Sequence, residues 1–105
     1  MKTTFIVNLS STRIAIADLM EYNDGMLLTR INVPKTFRGK GIGSKLLKQI
    51  IDEADKEKVK LYLTISPSDG LDFEQLEKWY YRFGFRQFAV PGFMLRRKNC
   101  SKVEK

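Results

Sequence analysis

Val33-Pro34-Lys35-Thr36-Phe37-Arg38-Gly39-Lys40-Gly41-Ile42-Gly43-Ser44-Lys45-Leu46-Leu47 carries the chain from an apolar strand, through a proline, into a basic glycine-rich turn and then an amphipathic segment. Gly39, Gly41 and Gly43 stand at alternate positions, so backbone can come close to a ligand and adopt positive φ without a side-chain clash. A helix opening there presents unpaired N–H groups and the positive end of its dipole. Arg38 and Lys40 add full charges. The combination describes an anion site, most naturally one for phosphate. It is not a Walker A loop, since no Lys-Ser or Lys-Thr follows at the required spacing. Nor is it the dinucleotide fingerprint, since the glycines run G-x-G-x-G behind a hairpin.

Outward from the turn, the pattern alternates strands with helices. Ile42, Leu46, Leu47, Ile50, Ile51 and Ala54 form one apolar stripe, which predicts a helix from about Gly41 to about Lys58. Val59 to Ser66 follows as a strand, with Val59, Leu61, Leu63 and Ile65 on one side. Before the turn, Met26 to Val33 is a strand that Asn23-Asp24-Gly25 closes as a hairpin onto Arg13 to Tyr22, with Ala15, Ala17 and Leu19 on one face. Thr3 to Leu9 is the first strand. Met26 to Ser66 is therefore a strand–helix–strand unit, which implies a parallel pair joined by a right-handed crossover. After the loop Pro67-Ser68-Asp69-Gly70, Asp72 with Gln75 reads as a capping box for a second helix. Phe73, Leu76, Trp79, Tyr80 and Phe83 are its buried stripe, and Gly84 is its left-handed terminator. Phe85 to Val90 and Phe93 to Arg97 are two short strands around Pro91-Gly92. The fold class is α/β: a mixed, mostly antiparallel sheet with a central parallel strand–helix–strand unit, then a C-terminal helix and short strands.

The 105 residues suffice for one domain, 1–105, ending in a polar tail from about 99. No apolar run is long enough to span a membrane, and Phe5 to Leu9 is too short for a secretion signal, so a cytoplasmic protein is expected. There is no histidine, and the one cysteine, Cys100, lies in the tail. Ser-His-Asp and Cys-His catalysis, zinc ligation and intramolecular disulfides are thereby excluded. Acid–base work falls to Glu, Asp, Lys, Tyr, Cys, backbone or water. The net charge of +7 suits a polyanionic partner or a multiply phosphorylated cosubstrate. No nucleic-acid-binding motif accompanies it. Arg96-Arg97-Lys98 with Lys102 and Lys105 reads as a solvated basic run.

The other concentration of chemistry is Trp79-Tyr80-Tyr81-Arg82-Phe83-Gly84-Phe85. Most of it is core. Two adjacent tyrosines cannot share one helix face, so either hydroxyl can line a cleft and donate a proton. No pair of acidic residues has a spacing that calls for carboxylate catalysis; Asp24 belongs to its turn and Asp72 to its cap.

Taken in order, Val33-Pro34, Arg38-x-x-Gly41-x-Gly43 and Leu46-Leu47 resemble motif A of the GNAT acetyltransferases, R/Q-x-x-G-x-G/A, and the Trp79 to Phe85 run is similar to motif B of the same family. The resemblance spans about residues 12–97 and also covers the order of elements. It implies acetyl-CoA as cosubstrate. By the match, Gly39, Lys40, Gly41, Ile42, Gly43 and Ser44 hold the pyrophosphate through backbone N–H groups, and Arg38 shapes the turn. Ile31, Asn32 and Val33 pair with the pantetheine arm and polarise the thioester carbonyl. Tyr80, four residues before Gly84, is the general acid that protonates the leaving thiolate.

Two departures from the family pattern follow. Relatives often carry a glutamate base on a central strand, whereas Met26 to Val33 and Leu61 to Ser66 hold no carboxylate. Glu21, across the hairpin, is the substitute candidate. The family also places one or two helices between its first two strands, and only Asn8 to Thr12 fills that gap. An open acceptor groove is expected, and with it a bulky acceptor such as a protein lysine or N-terminus. The implied activity is acetyl-CoA-dependent N-acetyl transfer to a primary amine, directly and without a metal; the alternative is a catalytically weak CoA-binding or protein-interaction module. The open side and final strands leave room for a homodimer.

Overall fold

Hydrophobic patterning translates into two layers, one of sheet and one of helix. The computed structural model describes residues 2–66 and 72–97; the expected loop at 67–70 and the tail with Cys100 lie outside these. The elements are β1 (Thr4–Asn8), β2 (Ile14–Tyr22), β3 (Gly25–Asn32), α1 (Ile42–Glu57), β4 (Lys60–Thr64), α2 (Phe73–Arg82), β5 (Arg86–Phe88) and β6 (Val90–Arg96), with a 3-10 turn at Lys35–Phe37. The six strands form one sheet in the order β1-β2-β3-β4-β6-β5. Only the β3–β4 pair is parallel among these neighbours. The expected mixed sheet and crossover are both present.

Alternation in β2 sends Ala15, Ala17 and Leu19 to one side, where they are buried with Met26, Leu28, Leu61, Leu63 and Met94 from the other strands. The α1 stripe of Leu46, Leu47, Ile50, Ile51 and Ala54 packs on this side and is wholly or almost wholly shielded. Each of its large aliphatic chains contributes roughly 1.5–3 kcal/mol by leaving water. Tyr80 of α2 and Phe85 join the same cluster, so both helices cover one face. On the opposite face, Tyr62 is buried beneath rings of Tyr22 and Phe93, at centroid distances of 5.0 and 5.8 Å. Asp24 does more than turn the hairpin: it accepts hydrogen bonds from Lys60 Nζ at 2.7 Å and from the Tyr62 hydroxyl. Those two donors hold its carboxyl well below the usual range, at about 2.

Three details depart from the sequence expectation. The reversal before the last strand falls at Ala89, in the left-handed region (φ 70°), while Pro91 and Gly92 belong to β6. Proline has no N–H to give, and β6 begins pairing with β4 only at Phe93. Arg96 is not part of a solvated run. It is 4% exposed, donates to the Phe83 carbonyl at 2.9 Å, and forks onto Asp55 of α1 at 2.8 and 3.3 Å. A single guanidinium thus ties α1, the end of α2 and β6 together. The third departure shapes the site.

Candidate active site

β3 and β4 do not pair along their full length. Their parallel register runs from Gly25↔Lys60 to Leu28↔Leu63 and stops. At that point β3 carries a bulge: Leu28 faces Leu19 and Arg30 faces Asp18, which leaves Thr29 as the extra residue. Thr29 Oγ1 donates to the Asp18 carbonyl at 3.1 Å, and Asp18 binds Arg30 at 2.6 Å. These contacts hold the end of β3 to β2. On the other side, Ile65 N–H donates to the Gly92 carbonyl at 2.7 Å, which keeps the end of β4 with β6. The two strand ends therefore part, and a cleft of about 640 Å³ opens between them. Along it, the backbone of β3 beyond Leu28 has no β4 partner. Such an edge suits an extended, amide-bearing ligand.

The glycine turn closes one end of this cleft. Gly39 and Gly41 both have φ of 79°, and a Cβ on either would meet nothing within 4 Å, so conformation and not crowding demands glycine there. Gly43 differs from the expectation: it sits in the first turn of α1, where a Cβ would be 3.6 Å from the Trp79 ring. Helix α1 starts with no side-chain cap and no acidic residue in its first turn. Helix α2 is fully capped, with Asp72 and Gln75 in a reciprocal capping box and Glu74 in its first turn. The same chain thus leaves the first N–H groups of α1 unpaired by side chains at the mouth of the cleft, where an anion would satisfy them. Arg38 Nε donates to the Val33 carbonyl at 2.9 Å, which folds the turn back onto the end of the strand.

Of the residues that the sequence singled out, Ile31, Asn32, Val33, Arg38, Gly39, Gly41, Ile42, Gly43, Ser44 and Tyr80 all line this cleft. Lys40 does not, and it is exposed between the two glycines. Glu21 does not either. It pairs with Met26 near the closed end of the hairpin, and Met26 lies two residues, or about 7 Å along the strand, before Leu28, where the cleft begins. Glu21, the substitute base candidate, thus stands in the ladder beside the cleft and not in its lining. Among the described residues, no Asp or Glu lines the cleft.

Tyr80 is 6% exposed, with its ring against Trp79 at 4.9 Å and Phe85 at 5.8 Å. Its hydroxyl has no hydrogen-bond partner among the described residues. Burial pushes its pKa up to about 12. Tyr81 is exposed beneath the Arg86 guanidinium, so the choice between the adjacent tyrosines resolves to Tyr80 as the one in the cleft. Sequence reasoning missed two contributors. Thr29 lies in a run that reads as an unbroken strand, although the polar Thr29-Arg30 after Met26-Leu27-Leu28 marks the change. Trp79, assigned to the core, also lines the cleft and donates from Nε1 to Ser44 Oγ at 3.1 Å, linking α2 to the start of α1.

A split parallel pair, an uncapped helix at its mouth and a tyrosine in its wall describe an α/β domain with an elongated cleft. The model for the acetyltransferase (GNAT) domain matches residues 2–87, and the chain belongs to that family. Comparison with curated proteins gives no match. Among solved structures, the chain is similar to a GNAT family acetyltransferase from Elizabethkingia anophelis with acetyl-CoA bound: 18% identity, TM-score 0.72, covering 90% of this chain and 74% of that one. It is similar to the anti-CRISPR protein AcrVA5, with 20% identity, TM-score 0.69, and coverage of 90% and 98%. The ribosomal-protein-S18-alanine N-acetyltransferase from Escherichia coli gives 22% identity and TM-score 0.68, with coverage of 85% and 64%. At these identities the likeness is one of fold. No helix among the described residues is long and apolar enough to cross a membrane.

Proposed function

We propose that this chain is an acetyl-CoA-dependent N-acetyltransferase that passes the acetyl group directly to an amine on a polypeptide. The observation that carries this reading is the split at Thr29, which places an unpaired strand edge, the uncapped start of α1 and the Tyr80 hydroxyl in one cleft. The N–H groups of the glycine turn and of α1's first residues would hold the pyrophosphate, and the free edge of β3 would hold the pantetheine amides. A β3 N–H directed at the thioester carbonyl would stabilise the oxyanion. Much of the rate gain is then proximity.

In the transfer a C–N bond forms, the C–S bond breaks, the nitrogen loses one proton and the sulfur gains one. Full transfer from a phenol at about 12 to a thiolate near 8.5 is uphill by about 5 kcal/mol. Tyr80 therefore acts first as a hydrogen-bond donor to the departing sulfur, and the proton that the nitrogen sheds replaces what the phenol gives up.

The absence of a carboxylate from the described cleft lining bears on the acceptor. Where no base assists, only amine that is already neutral reacts. At pH 7.5, about one peptide α-amine in three is neutral, against about one lysine in 800. The reading accordingly favours an N-terminal α-amine over a lysine side chain by a few hundredfold. The experiment compares two peptides of one sequence, the first with a free N-terminus and blocked lysine, the second the reverse, and follows thiol release at pH 7.5. The α-amine peptide is expected to react at least tenfold faster, and the lysine peptide to gain about tenfold per pH unit. A faster lysine peptide with a bell-shaped pH profile refutes the base-free site. Binding of acetyl-CoA with no amine-dependent thiol release refutes the enzyme and leaves a binding module.

A further inference from the structure

The face of the sheet opposite α1 and α2 has no element over it among the described residues, yet it is not polar. Of the seven large apolar side chains exposed on the described surface, Ile6, Ile14, Met20, Tyr22 and Phe88 stand on this face, and Val90 lies at its rim opposite Phe88. Met20 is 52% exposed and Ile6 47%. A sheet face meant for water carries polar residues outward. Apolar surface on this scale, here in two groups either side of the Asp18–Arg30 pair, marks an interface.

Charge and area identify the occupant. The whole chain carries +7, yet the ionised side chains near the middle of this face are paired, and Arg97 stands exposed at its edge beside Phe88 and Leu95. Asp18 holds Arg30 at 2.6 Å, and Lys60 holds Asp24 at 2.7 Å. Arg86, at the edge, turns away onto the Tyr81 ring at 3.7 Å. These pairs leave little net charge at the centre of the face to oppose a second copy there. The residues that β1 to β6 bring to the sheet, each about 3.3 Å by 4.8 Å, give a face of roughly 600 Å². A stable complex buries about 800 Å² per partner. A transient acceptor surface would be as polar as the rest of the protein, whereas apolar cores characterise permanent homodimers.

We propose that this face is the interface of a homodimer, with two copies packed sheet to sheet about a two-fold axis. The Asp18–Arg30 pair lies between the Ile6–Ile14 and Met20–Tyr22 groups and can exchange partners across the axis. The proposal does not rest on the acetyltransferase reading.

Sedimentation of the full chain from about 1 to 100 μM tests it. A species of twice the 12.2 kDa chain mass is expected. In the double variant Ile14→Lys/Met20→Lys, the dissociation constant should rise at least about 100-fold, because each copy must bury unpaired ammonium groups. Tyr81→Lys, on the helical layer, should remain dimeric. Should the double variant fail to fold, the wild-type melting temperature decides: it rises with protein concentration in a dimer. A 12.2 kDa monomer throughout, a dimer that survives the double substitution, or a melting temperature unchanged over a hundredfold in concentration overturns the proposal. A monomer that binds some other protein through this face does so as well.

Discussion

Replacing Tyr80 by phenylalanine removes one oxygen from the cleft and leaves the packing in place. The ring keeps its edge contacts with Trp79 and Phe85, and no described residue loses a hydrogen bond, since none is made to the hydroxyl. Stability should therefore change by less than about 0.5 kcal/mol, and the melting temperature by no more than about 3 °C. Turnover should respond differently. Under the proposed role, a hydrogen-bond donor to the departing sulfur is worth about 10²–10³ in kcat. That corresponds to about 2.7–4 kcal/mol of barrier. The assay is thiol release at saturating acetyl-CoA and amine, with affinity for acetyl-CoA measured separately by calorimetry. The expected result is a fall in kcat of about a hundredfold or more at unchanged affinity and unchanged melting temperature. With the phenol raised to about 12, its own ionisation should leave no break in the wild-type profile between pH 6 and 10. A Tyr80→Phe enzyme with full turnover refutes the proton-donor role. A fall explained by unfolding, seen as a drop in melting temperature of 10 °C or more, refutes the packing account.

Two further substitutions probe the frame of the site. Gly41→Asp sets a side chain at φ 79° and an anion at the uncapped start of α1; acetyl-CoA affinity should fall at least about tenfold by calorimetry, and Gly41→Ala by less, since it shares the strain without the charge. Arg96→Met leaves Asp55 and the Phe83 carbonyl without their buried donor, which should cost about 3–5 kcal/mol and lower the melting temperature by more than about 12 °C in a thermal melt; a change below 4 °C would show that the guanidinium is dispensable.

Much of the fold is legible because its signals are local. The Asn23-Asp24-Gly25 turn, the apolar stripe of α1 and the Asp72–Gln75 box each arise within a few neighbouring residues, and each appears where the pattern puts it. The glycine turn is legible for the same reason: the sterics of Gly39 and Gly41, and the orphan N–H groups of the helix behind them, are properties of the segment itself. From helix geometry alone Tyr80 is legible only as one of two neighbours, and the motif resemblance is what singles it out; its place in the cleft wall depends on how α2 rolls against the sheet.

What the tertiary structure decided is register and contact between distant segments. Thr29 becomes the extra residue only against the ladder of β2, and that bulge ends the pairing with β4 and opens the cleft. Register likewise sets Glu21 opposite Met26, outside the cleft lining. Arg96 is charged, near the C-terminus and next to Arg97, so its composition says solvent; a carboxylate 41 residues earlier in the chain makes it a buried tie. The sequence by itself determined the glycine turn from Arg38 to Ser44 and the uncapped helix start behind it, through backbone sterics and the absence of a capping side chain. Only the packed sheet determined that a strand edge and a phenol stand beside that turn, because hydrogen-bonded register is set between strands and not within them.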